Sequence, residues 1–149
     1  NDTSGDALVR MPTADGHEVV ERMLVPDVIY RVRYEVSPWI IDPAVEVVIS
    51  TGGTGLTWRD GTPEAVTPLF DRTIDGFGEL FRHVSFHTVG TSTIASRAVA
   101  GVANGTFIFS LPGSTGACKD AWQGVLREQL DINNRPCNLV ELMPRLTES

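Results

Sequence analysis

Val45-Glu46-Val47-Val48-Ile49-Ser50-Thr51-Gly52-Gly53-Thr54-Gly55 is the stretch that decides the fold class. Its first five residues form a short β-branched run, the kind that makes a buried parallel strand. A glycine-rich turn follows at once. Thr62-Pro63-Glu64 then reads as a helix start. Thr62 can cap, Pro63 suits the first helical position, and Glu64 complements the positive end of the helix dipole. Strand, glycine turn and helix in that order form the unit of α/β proteins, whose ligands bind beyond the carboxyl ends of the strands.

Upstream, Asp2-Thr3-Ser4-Gly5 looks like another helix start, with Thr3 or Ser4 as N-cap candidates. A helix from there to Ala14 would be kinked or shortened by Pro12, and Gly16 fits its stop. His17 to Val25 mixes Val19, Val20, Met23, Leu24 and Val25 and predicts a strand, broken by Pro26-Asp27. Val28 to Ile41 has helical apolar spacing. Downstream, Phe77 to His87 is an amphipathic helical stretch, and Ser92 to Arg97 predicts a further helical turn. Arg97 to Ala103 and Thr106 to Leu111 are apolar runs joined by Asn104-Gly105, the strongest short hairpin signal. A second glycine-rich turn, Pro112 to Gly116, leads into a helix from about Thr115 to Leu130. The tail holds an Asn-Asn-Arg-Pro-Cys turn and a short apolar piece from Leu139 to Met143. Strands alternating with helices, plus one hairpin, predict a single α/β domain over residues 1–149. It would be a three-layer α/β/α arrangement with a mostly parallel sheet and one antiparallel strand.

The 149 residues carry 42% hydrophobic and 21% charged side chains, enough to bury a core without staples. A net charge of -7 repels a nucleic-acid backbone, and the only lysine is Lys119, so nucleic acid is not an expected partner. No apolar run reaches the roughly 20 residues that span a bilayer, so no membrane association is expected. Cys118 and Cys137 sit in no metal or redox spacing, and two isolated thiols suit a reducing, cytoplasmic setting.

Two glycine turns that each link a strand to a helix favour an anion, usually phosphate, through free N–H groups and a helix N-terminus. Common nucleotide motifs do not fit. Trp58 stands where a dinucleotide fingerprint needs its third glycine; Cys118 and Asp120 stand where a P-loop needs glycine and Ser or Thr. Asp60 and Glu64 lie beside the first turn, and Asp27 would emerge at the same sheet edge if strands 17–25 and 45–49 run parallel. Such carboxylates suit magnesium-dependent phosphoryl or nucleotidyl transfer; Asp60 and Glu64 equally suit helix capping. His83 and His87 are four apart, but Val84 occupies the place of a zinc-protease glutamate, so a solvent-facing or packed pair is favoured over a metal site. Cys118 reads as a buried small apolar residue. Trp39, Trp58 and Trp122 read as packing residues, though Trp58 beside the glycine loop could stack on a planar ring. Gly113-Ser114-Thr115-Gly116 is not a nucleophile elbow.

Five segments in order carry a resemblance: Thr51-Gly52-Gly53-Thr54-Gly55, Arg59 to Glu64, Gly76-Phe77-Gly78-Glu79, Ser96 to Gly101, and Leu111-Pro112-Gly113-Ser114. Together they resemble the MogA/MoaB family of molybdenum-cofactor proteins. Gly90-Thr91-Ser92-Thr93, together with Pro112 to Thr115 and Ala121-Trp122, leans toward the MoaB branch. The resemblance implies binding of molybdopterin, a pterin dithiolene with a terminal phosphate, and transfer of AMP to that phosphate from Mg-ATP. It implies catalytic roles for Asp27 and Asp60, with Asp60 also as a magnesium ligand. Ser85 would lie on the pterin side, and Gly52, Gly53, Thr54, Gly55, Gly113, Ser114 and Thr115 would cradle phosphate or nucleotide. It further implies a homotrimer or homohexamer, for which the tail and the Phe77 to Phe86 face are candidate surfaces. Alternatives within the resemblance are a non-catalytic molybdopterin- or nucleotide-binding protein and an oligomeric scaffold. Gly61 replaces the family's usual valine. The family also begins with a strand ahead of Asp2-Thr3-Ser4-Gly5, so residues before Asn1 are expected in the natural chain.

Overall fold

The computed structural model describes residues 2–148. Helix α1 (Thr3–Ala14) leads through an irregular stretch to α2 (Ile29–Ile41), then β1 (Val47–Thr51) and the short α3 (Thr62–Val66). A 3-10 turn (Thr67–Leu69) precedes β2 (Arg72–Thr73), and α4 (Asp75–Val89) runs into a second 3-10 turn (Gly90–Ala95). The hairpin β3 (Val99–Ala103) and β4 (Thr106–Leu111) follows. Then comes α5 (Thr115–Ala121), continued through a π-helical segment (Trp122–Leu126) into α6 (Arg127–Gln129). A 3-10 segment (Val140–Arg145) lies in the tail.

The sheet order is β1-β4-β3-β2. β1 runs parallel to β4, β3 is antiparallel to β4, and β2 is antiparallel to β3, so three strands share one direction and β3 opposes them. Asn104 and Gly105 have φ of 49° and 81°, the positive values that a tight two-residue hairpin turn demands.

Alternation along the strands splits the core in two. Phe107, Phe109 and Leu111 point to one face, where Phe77 and Phe81 of α4, Cys118 and Ala121 of α5, and Trp122 of the π-helical segment cover them. Leu8 and Met11 of α1 close that face. Val48 and Ile108 point the other way, onto Val36, Val32, Trp39 and Ile40. Helices on both faces of a mixed sheet give the three layers that the sequence predicts.

Several local expectations need correction. The N-cap of α1 is Asp2, whose carboxylate accepts from the Gly5 N–H at 2.9 Å, rather than Thr3 or Ser4. The Ser4 hydroxyl instead donates to the Gly113 carbonyl at 2.6 Å, tying α1 to the second glycine turn. Second, residues 17–25 form no strand: none of them enters a ladder, and among the described residues β1 pairs only with β4. A strand needs a backbone partner, and side chains hold this stretch instead. Arg22 pairs with Asp2 and Asp6, His17 meets the Trp122 ring edge-on at 5.5 Å, and Trp39 donates to Glu21. Val20 and Leu24 are left exposed. Pro12 does not end α1, which continues to Ala14.

Candidate functional site

Parallel pairing of β1 with β4 places both glycine turns side by side. Thr51 is the register partner of Leu111, and the Gly52 N–H donates to the Leu111 carbonyl at 2.9 Å. Gly52 and Gly53 then take φ of 104° and 72°. A side chain is strained there, and a Cβ on Gly53 would lie 2.2 Å from Thr62 Oγ1. Hydroxyls tie down the carbonyls of both turns: Thr62 donates to Gly52 O and Thr51 to Pro112 O, each at 2.9 Å. The N–H groups of Gly53, Thr54, Gly113 and Ser114 donate to no acceptor among the described residues. Ser114 caps α5 by accepting from the Ala117 N–H at 3.1 Å. Carbonyls held back and amides left free, beside a helix N-terminus, suit an anion.

These turns floor a cavity of about 610 Å³, within the range of small-ligand sites. Phe81, Ser85, Thr88 and Val89 of α4, the 3-10 turn at Ser92 to Ser96, and Ala117 and Asp120 of α5 wall it. Asp60 stands among its lining residues. The Asp60 carboxylate accepts from the Thr57 hydroxyl at 2.7 Å and the Thr57 N–H at 2.9 Å. These bonds, with smaller help from the Gly55 amide and Arg97, hold its carboxyl below the usual range. Both bonds fall on Oδ2, which leaves Oδ1 without a side-chain partner among the described residues. That donor set fits magnesium carried in by phosphate, since the ion takes one or two carboxylates and keeps much of its water. No group of three or more His, Cys, Asp or Glu side chains placed to hold a metal occurs among the described residues.

Arg97 organises the loop that carries Asp60, a role that sequence reading did not assign. Its guanidinium donates to the Gly55 carbonyl at 2.8 Å, to the Asp60 carbonyl at 2.6 Å, and to both Glu64 oxygens at 2.6 and 3.1 Å. The Arg97 N–H also donates to Thr54 O at 2.9 Å. Arg97 therefore holds Glu64 below the usual carboxylate range, and Glu64 serves the loop through this pair. Arg97 lies within the Ser96 to Gly101 motif, but the partners of its guanidinium are 33 to 42 residues away in sequence.

Ser85 and all four residues from Gly52 to Gly55 line the cavity, as do Gly113 and Ser114. Thr115 does not; its hydroxyl bonds Thr3 at 3.0 Å. Asp27 is exposed ahead of α2 and is not a lining residue. The structure thus brings Asp60 to the cradle without Asp27. Thr88, Thr93 and Asp120 also line the cavity, a role that sequence reading assigned to none of them. The His83–His87 pair is internal to α4, His87 Nδ1 lying 3.0 Å from the His83 carbonyl. Burial pushes the Cys118 thiol up, so it stays protonated beneath Thr51. No helix among the described residues is long and apolar enough to cross a membrane.

A family profile described as "Probable molybdopterin binding domain" matches residues 1–132. The chain is 54% identical to molybdenum cofactor biosynthesis protein B of Escherichia coli strain K12 over 93% of its own length and 81% of that protein. Among solved structures, one of molybdenum cofactor biosynthesis protein B superposes with a TM-score of 0.84 at 38% identity, covering 87% of this chain and 81% of the other. The tungsten cofactor synthesizing protein MoaB from Pyrococcus furiosus superposes with a TM-score of 0.78 at 37% identity, covering 86% and 81%. With the same fold and a profile match along most of its length, this chain belongs to the molybdopterin-binding-domain family that includes molybdenum cofactor biosynthesis protein B.

Proposed function

We propose that this protein acts in molybdenum-cofactor biosynthesis by binding molybdopterin in the cavity and transferring AMP to it from Mg-ATP. The observation that carries the reading is the meeting of two free-amide turns and the Asp60 carboxylate at one cavity. In the transfer, an oxygen of the molybdopterin phosphate attacks the α-phosphorus of ATP. The bond from that phosphorus to the bridging oxygen breaks, and pyrophosphate leaves. Catalysis of such a step is positioning plus stabilisation of charge on the phosphoryl oxygens. The amides of Gly53, Thr54, Gly113 and Ser114 would bind those oxygens. Asp60, ionised at neutral pH, would hold magnesium, which offsets the phosphate charge.

Asp27 is not among the residues that line this cavity, so only one of the two carboxylates expected at the cradle, Asp60, stands there. That observation supports a second reading, a protein that holds molybdopterin or nucleotide without transfer. Incubation with molybdopterin and Mg-ATP separates the two. Pyrophosphate and adenylyl-molybdopterin that vanish in Asp60→Ala, with pterin still bound, support the transferase. Bound molybdopterin without product supports the binding protein. Exposed Leu80 and Phe86 on α4 suit burial between copies of the chain, in keeping with the expected trimer or hexamer, to be tested by sedimentation.

A further inference from the structure

The wall of the cavity made by α4 and α5 has a chemistry opposite to that of its floor. The floor presents N–H donors; the wall presents acceptors. Asp120 of α5 is half-buried, and its Oδ2 accepts from the Thr88 hydroxyl of α4 at 2.7 Å. Its Oδ1 has no hydrogen-bond partner, and no cation pairs with it among the described residues. Beside it, Ser85 is 6% exposed, and its hydroxyl enters no hydrogen bond among the described residues. Thr93 Oγ1 is enclosed and likewise has no partner. Buried or part-buried polar groups left open on a cavity wall are costly unless a ligand completes them.

We infer that Asp120, anchored by Thr88, accepts the paired N–H edge of the ligand's pyrimidine ring and so selects a 2-amino-4-oxo pteridine. A carboxylate is acceptor-only and matches two adjacent N–H donors side by side, as it does those of a guanidinium. The ring N3–H and the 2-amino group present such a pair. Ser85 and Thr93 can donate or accept, and so suit the mixed edges of the rest of the ring. A ligand with phosphate at one end and an N–H edge at the other would bind in a single orientation, phosphate on the floor and ring against the wall. This inference rests on the molybdopterin reading and names the group that distinguishes the pterin from other planar rings.

Calorimetry with neopterin monophosphate and its 2-oxo, lumazine-type counterpart tests it. The wild-type protein should prefer the 2-amino ligand by about tenfold or more, the worth of a charge-assisted hydrogen bond. Asp120→Asn keeps the shape and an acceptor for Thr88 but loses the charge. It should bring the two affinities to within about twofold and leave the affinity for inorganic phosphate unchanged. Thr88→Val, which keeps the charge and removes its anchor, should fall between. An unchanged preference in Asp120→Asn overturns the role of Asp120 while leaving a pterin site in place. Binding of inorganic phosphate with neither pteridine bound overturns the molybdopterin reading itself, and this inference with it.

Discussion

Replacing Arg97 with lysine should loosen the loop that carries Asp60 while leaving the sheet intact. The guanidinium reaches three separate acceptors, the carbonyls of Gly55 and Asp60 and the carboxylate of Glu64. A lysine ammonium is a point donor and cannot span that fork, so two of the three contacts are lost. Each is worth about 1 kcal/mol net, reduced where water can replace it; the Arg97 side chain is 32% exposed. The Glu64 pair adds little, since Glu64 is half exposed. The expected loss is about 1–2 kcal/mol, a fall in melting temperature of roughly 3–6 °C for a chain of this size. Urea titration should show a lower midpoint with an unchanged slope. Arg22→Lys is the control. Arg22 pairs only at the surface, with Asp2 and Asp6, and its replacement should cost less than about 0.5 kcal/mol. Nucleotide affinity should fall in Arg97→Lys and not in Arg22→Lys, because only Arg97 sets the position of the Gly55 and Asp60 backbone. Equal stability losses in the two variants would refute the fork. A destabilised Arg97→Lys protein with wild-type nucleotide affinity would refute its hold on the site.

The lowered carboxyl of Asp60 has a signed consequence for pH. It contributes stability that is fully present above the unfolded pKa of about 3.9 and is lost as pH falls through the still lower folded value. Urea midpoints for Asp60→Asn should therefore lie below the wild type at pH 6 and converge on it in strong acid; parallel curves would exclude the Thr57 contacts as the cause. Phe109 is fully buried between Phe77 and Phe107, so Phe109→Ala should cost about 3–5 kcal/mol by urea titration. Ser114→Ala removes the α5 cap and should cost about 1 kcal/mol. Trp58 is fully exposed two residues before Asp60, so binding at the glycine loop should change tryptophan emission in the wild type and leave Trp58→Phe nearly silent.

What the sequence showed and what it hid divide along sequence distance. The hairpin was legible because Asn104-Gly105 is a local demand on φ, and the two strands it joins lie within a dozen residues. The glycine cradle was legible for the same reason: each turn follows its own strand, and only their adjacency had to be supplied by parallel pairing. Residues 17–25 failed the same test in reverse. Their apolar, β-branched composition is local, but strand formation is a property of pairing, and no strand among the described residues pairs with them. The apolar pattern therefore meant a side-chain surface here, not a ladder. Asp27 follows from that failure, because its expected position depended on a parallel strand ending just before it. The organisation of the site was hidden for a related reason. Arg97 meets Gly55, Asp60 and Glu64 across 33 to 42 residues, and Thr88 meets Asp120 across 32. No window of sequence contains either set. A carboxylate on an amphipathic helix normally faces water; the approach of α4 to the α5 helix places Asp120 at a cavity instead. On the proposed reading, a site whose floor is written in local turns and whose wall is written in tertiary contacts would keep its phosphate chemistry while its ring selectivity changed by single substitutions at positions such as 88 and 120. Exchanging those two side chains, as Thr88→Asp with Asp120→Thr, tests this directly. The carboxylate then reaches the same wall from α4, and the preference for the 2-amino pteridine should survive the double change although Thr88→Asp places a second charge there and Asp120→Thr removes the only one. Loss of preference in the double variant, with phosphate affinity intact, would mean that selectivity depends on the geometry of α5 and not on the presence of a carboxylate at that wall.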